Sequence, residues 1–116
     1  MASEIKFAFF GTSKFSVIIL NQLKIGGFSP TLIVTREDKP KGRKLLLTPP
    51  ETKIWANENN IPFLQPKKLN DELTSKLSTL NFELFIVASY GKIIPQNILD
   101  IPKLGTINVH PSLLPK

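Results

Sequence analysis

Asn108 and His110 stand two residues apart near the end of the chain, in the stretch NVHPSLLPK, and His110 is the only histidine of the 116 residues. On an extended strand, residues at i and i+2 project to the same face. An amide donor and an imidazole would then share one surface, with Ile107 and Val109 on the other. Such a pair can hydrogen-bond a carbonyl oxygen and hold the negative charge that develops when a nucleophile adds to the carbonyl carbon. The imidazole also titrates near neutrality and can donate or accept a proton. Pro111 and Pro115 restrict the backbone that follows. Ser112, Leu113 and Leu114 are therefore expected on a stiff loop suited to a flat apolar ligand. A histidine that merely ends a strand is the bland alternative.

Two other stretches carry the residue types of a site. Gly11-Thr12-Ser13-Lys14-Phe15 follows the apolar run Ile5–Phe10, and Ser89-Tyr90-Gly91-Lys92-Ile93 follows Leu84–Ala88. The first contains one glycine and not the GxGxxG spacing that admits a pyrophosphate, so NAD binding is poorly supported. Arg36 could meet a 2′-phosphate, which leaves NADP as a weaker rival. A helix opening after Gly11 can still receive a small anion or carbonyl.

Elements must exist to bring these stretches together. Apolar β-prone runs at Ile5–Phe10, Thr31–Thr35, Ile61–Leu64, Leu84–Ala88 and Thr106–His110 alternate with helix-like segments. One helix starts near Ser13 and stops at Gly26-Gly27. A weaker one covers Glu51–Asn59. A third is capped by Asn70 and runs to Leu80. A short last one has Pro95 in its first turn. Buried-type strands separated by helical crossovers predict an α/β, Rossmann-like parallel sheet with helices on both faces. Right-handed crossovers favour the strand order 3-2-1-4-5. Ligands of such sheets bind beyond the carboxyl ends of the strands, where the strand order reverses. The three polar turns converge there. The sequence stops after the fifth strand, so the fold is expected to be truncated at that point.

The chain has no cysteine, which excludes a disulfide framework and thiolate metal sites, and no metal is expected. Its N-terminus does not read as a signal peptide, and no apolar run is long enough for a membrane span. A monomer in the cytoplasm is the expectation. Net charge is +6, and Arg36, Lys39, Lys41, Arg43 and Lys44 fall within nine residues. The segment Arg36–Pro50 shows no periodicity and is expected to be a long functional loop. Its charge points to an anionic partner, with a solvated surface loop as the alternative.

The segments FFGTSKFS, TREDKPKGR, LQPKKL, VASYGKIIP and LGTINVHPSLLPK stand here in the order and spacing of the N-terminal part of the methionyl-tRNA formyltransferases. The whole chain resembles that family, and INVHPSLLP is the signature of the wider group of folate-dependent formyltransferases. The resemblance implies the formyltransferase fold and transfer of a formyl group from 10-formyltetrahydrofolate to the amine of methionyl initiator tRNA. It implies that Asn108 and His110 are catalytic, with a third catalytic residue, an aspartate, beyond Lys116. The loop Ser112, Leu113, Leu114, Pro115 would contact the folate, and Tyr90, Gly91, Lys92, Ile93 and Ile94 would line its pterin side. The basic loop would touch the acceptor end of the tRNA through Arg36, Lys39, Lys41, Gly42, Arg43 and Lys44, with Arg43 as its key arginine. Gly11, Thr12 and Phe15 would lie on the substrate side.

Residues 1–116 are on this reading the N-terminal part of the catalytic domain, without its remainder and without a C-terminal β-barrel domain. The isolated chain is then expected to show little or no activity. Where the family usually continues Gly-Arg-Gly-Lys-Lys, this chain has Gly42-Arg43-Lys44-Leu45-Leu46. A sugar-amine formyltransferase, a formyltetrahydrofolate hydrolase and a non-catalytic folate- or tRNA-binding module are the rival readings.

Overall fold

The structure, a computed structural model, describes residues 5–110. In chain order the elements are β1 (Phe7–Gly11), α1 (Lys14–Ile25), β2 (Leu32–Val34), β3 (Lys39–Lys41), β4 (Leu46–Thr48), α2 (Glu51–Glu58), β5 (Phe63–Leu64), α3 (Asp71–Ser78), β6 (Leu84–Ala88), α4 (Gln96–Leu99) and β7 (Thr106–Val109). Five strands form one parallel sheet in the order β5-β2-β1-β6-β7. Counting only these strands, this is the expected order 3-2-1-4-5, with the reversal between β1 and β6.

The two faces of the sheet divide the core. Along β1, alternate residues go to opposite sides. Ala8 and Phe10 join Val34, Phe85 and Val87 under α3 and α4, where Leu73, Leu77 and Ile98 cover them. Phe7 and Phe9 join Ile33, Ile86 and Ala88 under α1 and α2, covered by Leu20, Trp55 and Ala56. All five residues of β1 are buried, as a strand covered on both faces requires.

Several boundaries differ from the expectation. Arg36–Pro50 is not structureless: Lys39–Lys41 and Leu46–Thr48 pair as an antiparallel hairpin. The pattern hid it because both strands are exposed on nearly every residue, so no burial periodicity marks them. The turn is closed by the Leu45 amide donating to the Gly42 carbonyl at 3.1 Å. Gly42 and Leu45 both take positive φ, 76° and 50°. Asn70 caps α3 as expected, its side-chain oxygen accepting from the Leu73 amide at 3.2 Å, although the helix ends at Ser78 and not Leu80. Pro95 is the N-cap of α4 and not a first-turn residue. β7 ends at Val109, one residue short of His110.

Candidate active site

The turns after β1 and β6 are bound to each other by hydrogen bonds at the strand-order reversal. Ser16, on the first turn of α1, is fully buried. Its Oγ accepts from the amides of Thr12 (3.0 Å) and Ser13 (3.2 Å) and donates to the Ala88 carbonyl. The Thr12 amide also reaches the Ser89 carbonyl at 3.0 Å, and Thr12 Oγ1 donates to the Tyr90 carbonyl at 2.7 Å. Ser13 and Ser89 join through their hydroxyls at 2.8 Å. Ser89 is held at φ 58°, a left-handed conformation costly for a residue with a Cβ. The amides of Thr12 and Ser13, which lead into α1, are thus spent inside the protein rather than offered to an anion.

Gly11 is required by packing. A Cβ there would lie 2.6 Å from Ser16 Oγ, 2.6 Å from Phe9 Cε1 and 2.7 Å from the Ala88 carbonyl oxygen. Its own carbonyl accepts from Thr52 Oγ1 at 2.9 Å, and Thr52 sits 2.6 Å from Thr35 Oγ1. The Thr52 hydroxyl has one proton and gives it to Gly11, so Thr35 is the donor of the shared contact. Both threonines are fully buried.

The end of β2 is tied to the same place. Arg36 Nη1 donates to the Gly91 carbonyl at 3.3 Å. Gly91 has φ +91°, and an added Cβ would sit 3.0 Å from that nitrogen. Lys92 Nζ pairs with Glu37 at 3.1 Å, and Lys53 with Asp38 at 3.1 Å. The Lys92 hydrogen bond holds the Glu37 carboxyl below its ordinary pKa, and hydrogen bonds from Gln65, then Lys53, do the same for Asp38. These pairs fix the base of the β3–β4 hairpin. Lys39 and Lys41 then line a cleft of about 200 Å³ with Thr12, Ser13, Arg36 and Glu37. Gly42, Arg43 and Lys44 stand out at the exposed hairpin tip beside Leu45, Leu46 and Leu47, which are all more than 60% exposed.

β7 brings the polar pair alongside. Asn108 is in register with Val87 and Val109 with Ala88, so His110 follows Val109 where Ser89 follows Ala88. Asn108 and His110 are both exposed. Asn108 lines a hollow of about 510 Å³ with Gln96, Leu99 and Thr106, on the side of the sheet that α4 covers. Val109 packs on the opposite side with the α1–α2 core, which is the alternation expected for this strand.

The structure separates other expected site residues. Tyr90 is buried in the α3–α4 core, edge-on to Phe10, with its hydroxyl unpartnered and pushed up to about 12 by burial. Its carbonyl accepts from Thr12 Oγ1 at the junction. Phe15 packs against the α1–α2 core, and Ile94 is half-buried, whereas Ile93 is 93% exposed. Ser112, Leu113, Leu114 and Pro115 lie outside the described residues.

Of the residues that knit the junction, Ser89 stands in an expected turn, whereas Ser16, Thr35 and Thr52 are not among the expected site residues. Ser16 did carry a signal, three residues after the N-cap Ser13, where a side chain can reach back to the cap amide. Among the described residues no His, Cys, Asp and Glu side chains cluster as a metal site, and no helix is long and apolar enough to cross a membrane.

A family model described as formyl transferase matches residues 5–116. The chain belongs to the formyl transferase family. Its parallel sheet with helices on both faces is the Rossmann-like domain of that family. The chain is 47% identical to the methionyl-tRNA formyltransferase of Geobacillus sp. (strain WCH70), over 97% of this chain and 36% of the relative. It is 45% identical to that of Bacillus subtilis (strain 168) over 96% of this chain and 35% of the relative. It is 50% identical to that of Thermodesulfovibrio yellowstonii over 93% of this chain and 35% of the relative. The formyl transferase chain described here therefore spans about a third of the length of the curated relatives it matches.

Proposed function

We propose that residues 1–116 form the N-terminal part of a catalytic domain that moves a formyl group from 10-formyltetrahydrofolate to the α-amine of methionyl initiator tRNA. The observation that carries this reading is the position of Asn108 and His110. Asn108 stands on β7 and His110 directly follows its end, next to the reversal point and beside two turns locked together by Ser16, Thr12 and Ser89. The names of the relatives point the same way.

In this reading the amine attacks the formyl carbon and the formyl oxygen becomes negative. Asn108 and His110 donate hydrogen bonds to that oxygen, which stabilise it most in the transition state. Collapse breaks the bond to the folate nitrogen, which leaves with a proton, while the former amine gives one up; His110 is suited to hold that proton in transit. Ile93, almost wholly exposed beside the junction, gives the pterin an apolar face, with Gly91, Lys92, Ile94 and the backbone of Tyr90 shaping the same turn. Ser112, Leu113, Leu114 and Pro115 would complete the folate side. The exposed cations of the hairpin, Lys39, Lys41, Arg43 and Lys44, meet the acceptor end of the tRNA, and Gly11, Thr12, Phe15, Arg36 and Gly42 build the wall and turn behind them. We place the protein in the cytoplasm as a monomer.

The test is formylation of methionyl-tRNA by the full-length protein that carries these residues, and by its variants, since the isolated chain is expected to show little or no activity. Asn108→Ala and His110→Ala are each expected to lower kcat by about 10²–10³ without loss of stability, since both side chains are exposed. Arg43→Ala is expected to raise KM for the tRNA by about tenfold or more. A protein whose rate ignores Asn108→Ala would not use the proposed oxyanion contact, and one indifferent to Arg43→Ala would not use the hairpin on RNA.

A further inference from the structure

A second basic surface lies on the far side of the hairpin's anchor. After β5 the chain runs through Gln65-Pro66-Lys67-Lys68 into α3, and a hollow of about 480 Å³ opens between this loop and the helix. Lys67, Lys68 and Lys76 line it, and Glu72 is the one acid among the lining side chains. All three lysines are exposed. None takes part in either of the two ion pairs found among the described residues, Lys53–Asp38 and Lys92–Glu37.

The loop that carries them is held in place. Lys92 Nζ donates to the carbonyls of Lys67 (3.1 Å) and Pro66 (3.5 Å), and Gln65 Nε2 donates to Asp38 Oδ1 (2.7 Å) and the Arg36 carbonyl (3.0 Å). Lys92 and Asp38 are the same groups that anchor the hairpin. The hairpin and this loop follow the neighbouring strands β2 and β5 at their carboxyl ends, so the two basic elements are one braced unit.

The chemistry of the hollow selects an extended polyanion. It is open and lacks the enclosed, convergent polar groups of a small-molecule site. Lysines supply point charges that match phosphates without reading bases. None of the exposed large apolar side chains lies on the loop or on α3, so the surface has no anchor for a lipid interface. We propose that Lys67, Lys68 and Lys76 form a second, sequence-independent contact for the phosphate backbone of the RNA held by the hairpin. This rests on the reading of the substrate as a tRNA.

The experiment is binding of methionyl initiator tRNA to the purified protein across a range of salt. The variant Lys67→Gln/Lys68→Gln/Lys76→Gln is expected to lower the slope of log K against log salt by about one per lysine, and affinity at ~0.1 M salt by at least about tenfold. The triple Lys→Arg variant, which keeps the charge, is expected to keep the slope. An unchanged slope in the Gln variant overturns the proposal, as does a loss seen with phosphatidylglycerol vesicles but not with tRNA. Should the triple variant unfold, the single changes Lys67→Gln and Lys68→Gln carry the same test at a slope change of about one each. If Arg43→Ala weakens binding and the lysine variants do not, only the second contact fails. If no protein binds tRNA, the substrate reading fails with it.

Discussion

A methyl group at position 11 has no room, because a backbone carbonyl and two side chains stand within 2.7 Å of where its Cβ would go. Gly11→Ala should therefore destabilise the protein by about 1–3 kcal/mol, seen as a lower urea midpoint at unchanged m. The carbonyl of the same residue depends on Thr52. Thr52→Val keeps the shape but leaves the Gly11 carbonyl and the Thr35 hydroxyl buried without partners. The cost is about 1–3 kcal/mol by the same measurement, and a loss below ~0.5 kcal/mol would mean that water replaces the hydroxyl. The opposite facing of Asn108 and Val109 was legible from strand alternation. The hydroxyls that hold the junction were not legible, since a serine or threonine announces nothing until the strand it bonds to is in place. Tyr90 illustrates the converse. An aromatic ring beside an apolar strand is core material as well as a ligand platform, and the Tyr90 ring lies in the core while Ile93 of the same turn is 93% exposed.

Among the elements, the β3–β4 hairpin is the one whose existence the pattern concealed and whose charge it disclosed. Leu45 sits at positive φ with its side chain 68% exposed, so it carries the conformational cost without compensating burial. Leu45→Asn, with a residue that tolerates this conformation, should stabilise the hairpin by up to ~1 kcal/mol, measured as slower proteolysis or amide exchange across Lys39–Thr48. The base of the hairpin titrates. Glu37 and Asp38 have depressed pKa values in the folded protein, so their anchoring is complete above the ordinary carboxylate range and is lost as pH falls through the folded values. Amide exchange of the hairpin should accelerate on acidification before the sheet is affected, and Asp38→Asn with Glu37→Gln should remove that acid-dependent step. The three central strands β1, β2 and β6 were legible because burial on both faces demands unbroken apolar runs, and the edge strands β5 and β7, only partly buried, were legible from their β-prone residues and their place after a helix. The hairpin was not, because a ribbon in water leaves no such trace.

For the molecule as a whole, Tyr90 is a built-in reporter, being the single tyrosine. Its phenol is raised to about 12 by burial, above the ordinary value near ~10. A raised pKa gives stability that is complete below the unfolded value and declines as pH rises from ~10 toward the folded one. Urea midpoints should fall across that alkaline range, and the phenolate absorbance should appear together with unfolding. Tyr90→Phe should flatten this alkaline limb and leave neutral stability unchanged or raised by up to ~1 kcal/mol, because it removes a buried hydroxyl without a partner.

The central place of β1 also bears on how the chain is made. β1 leaves the ribosome before the other strands of its sheet, but its neighbour β6 is distant: Lys6 and Glu83, which hydrogen-bond where the two strands begin, are 77 residues apart. At ~5–20 residues per second, Phe7–Phe10 would wait roughly 4–15 s for that partner. For this interval the nascent chain carries an unpaired, wholly apolar edge, the kind of segment that chaperones are recruited to shield.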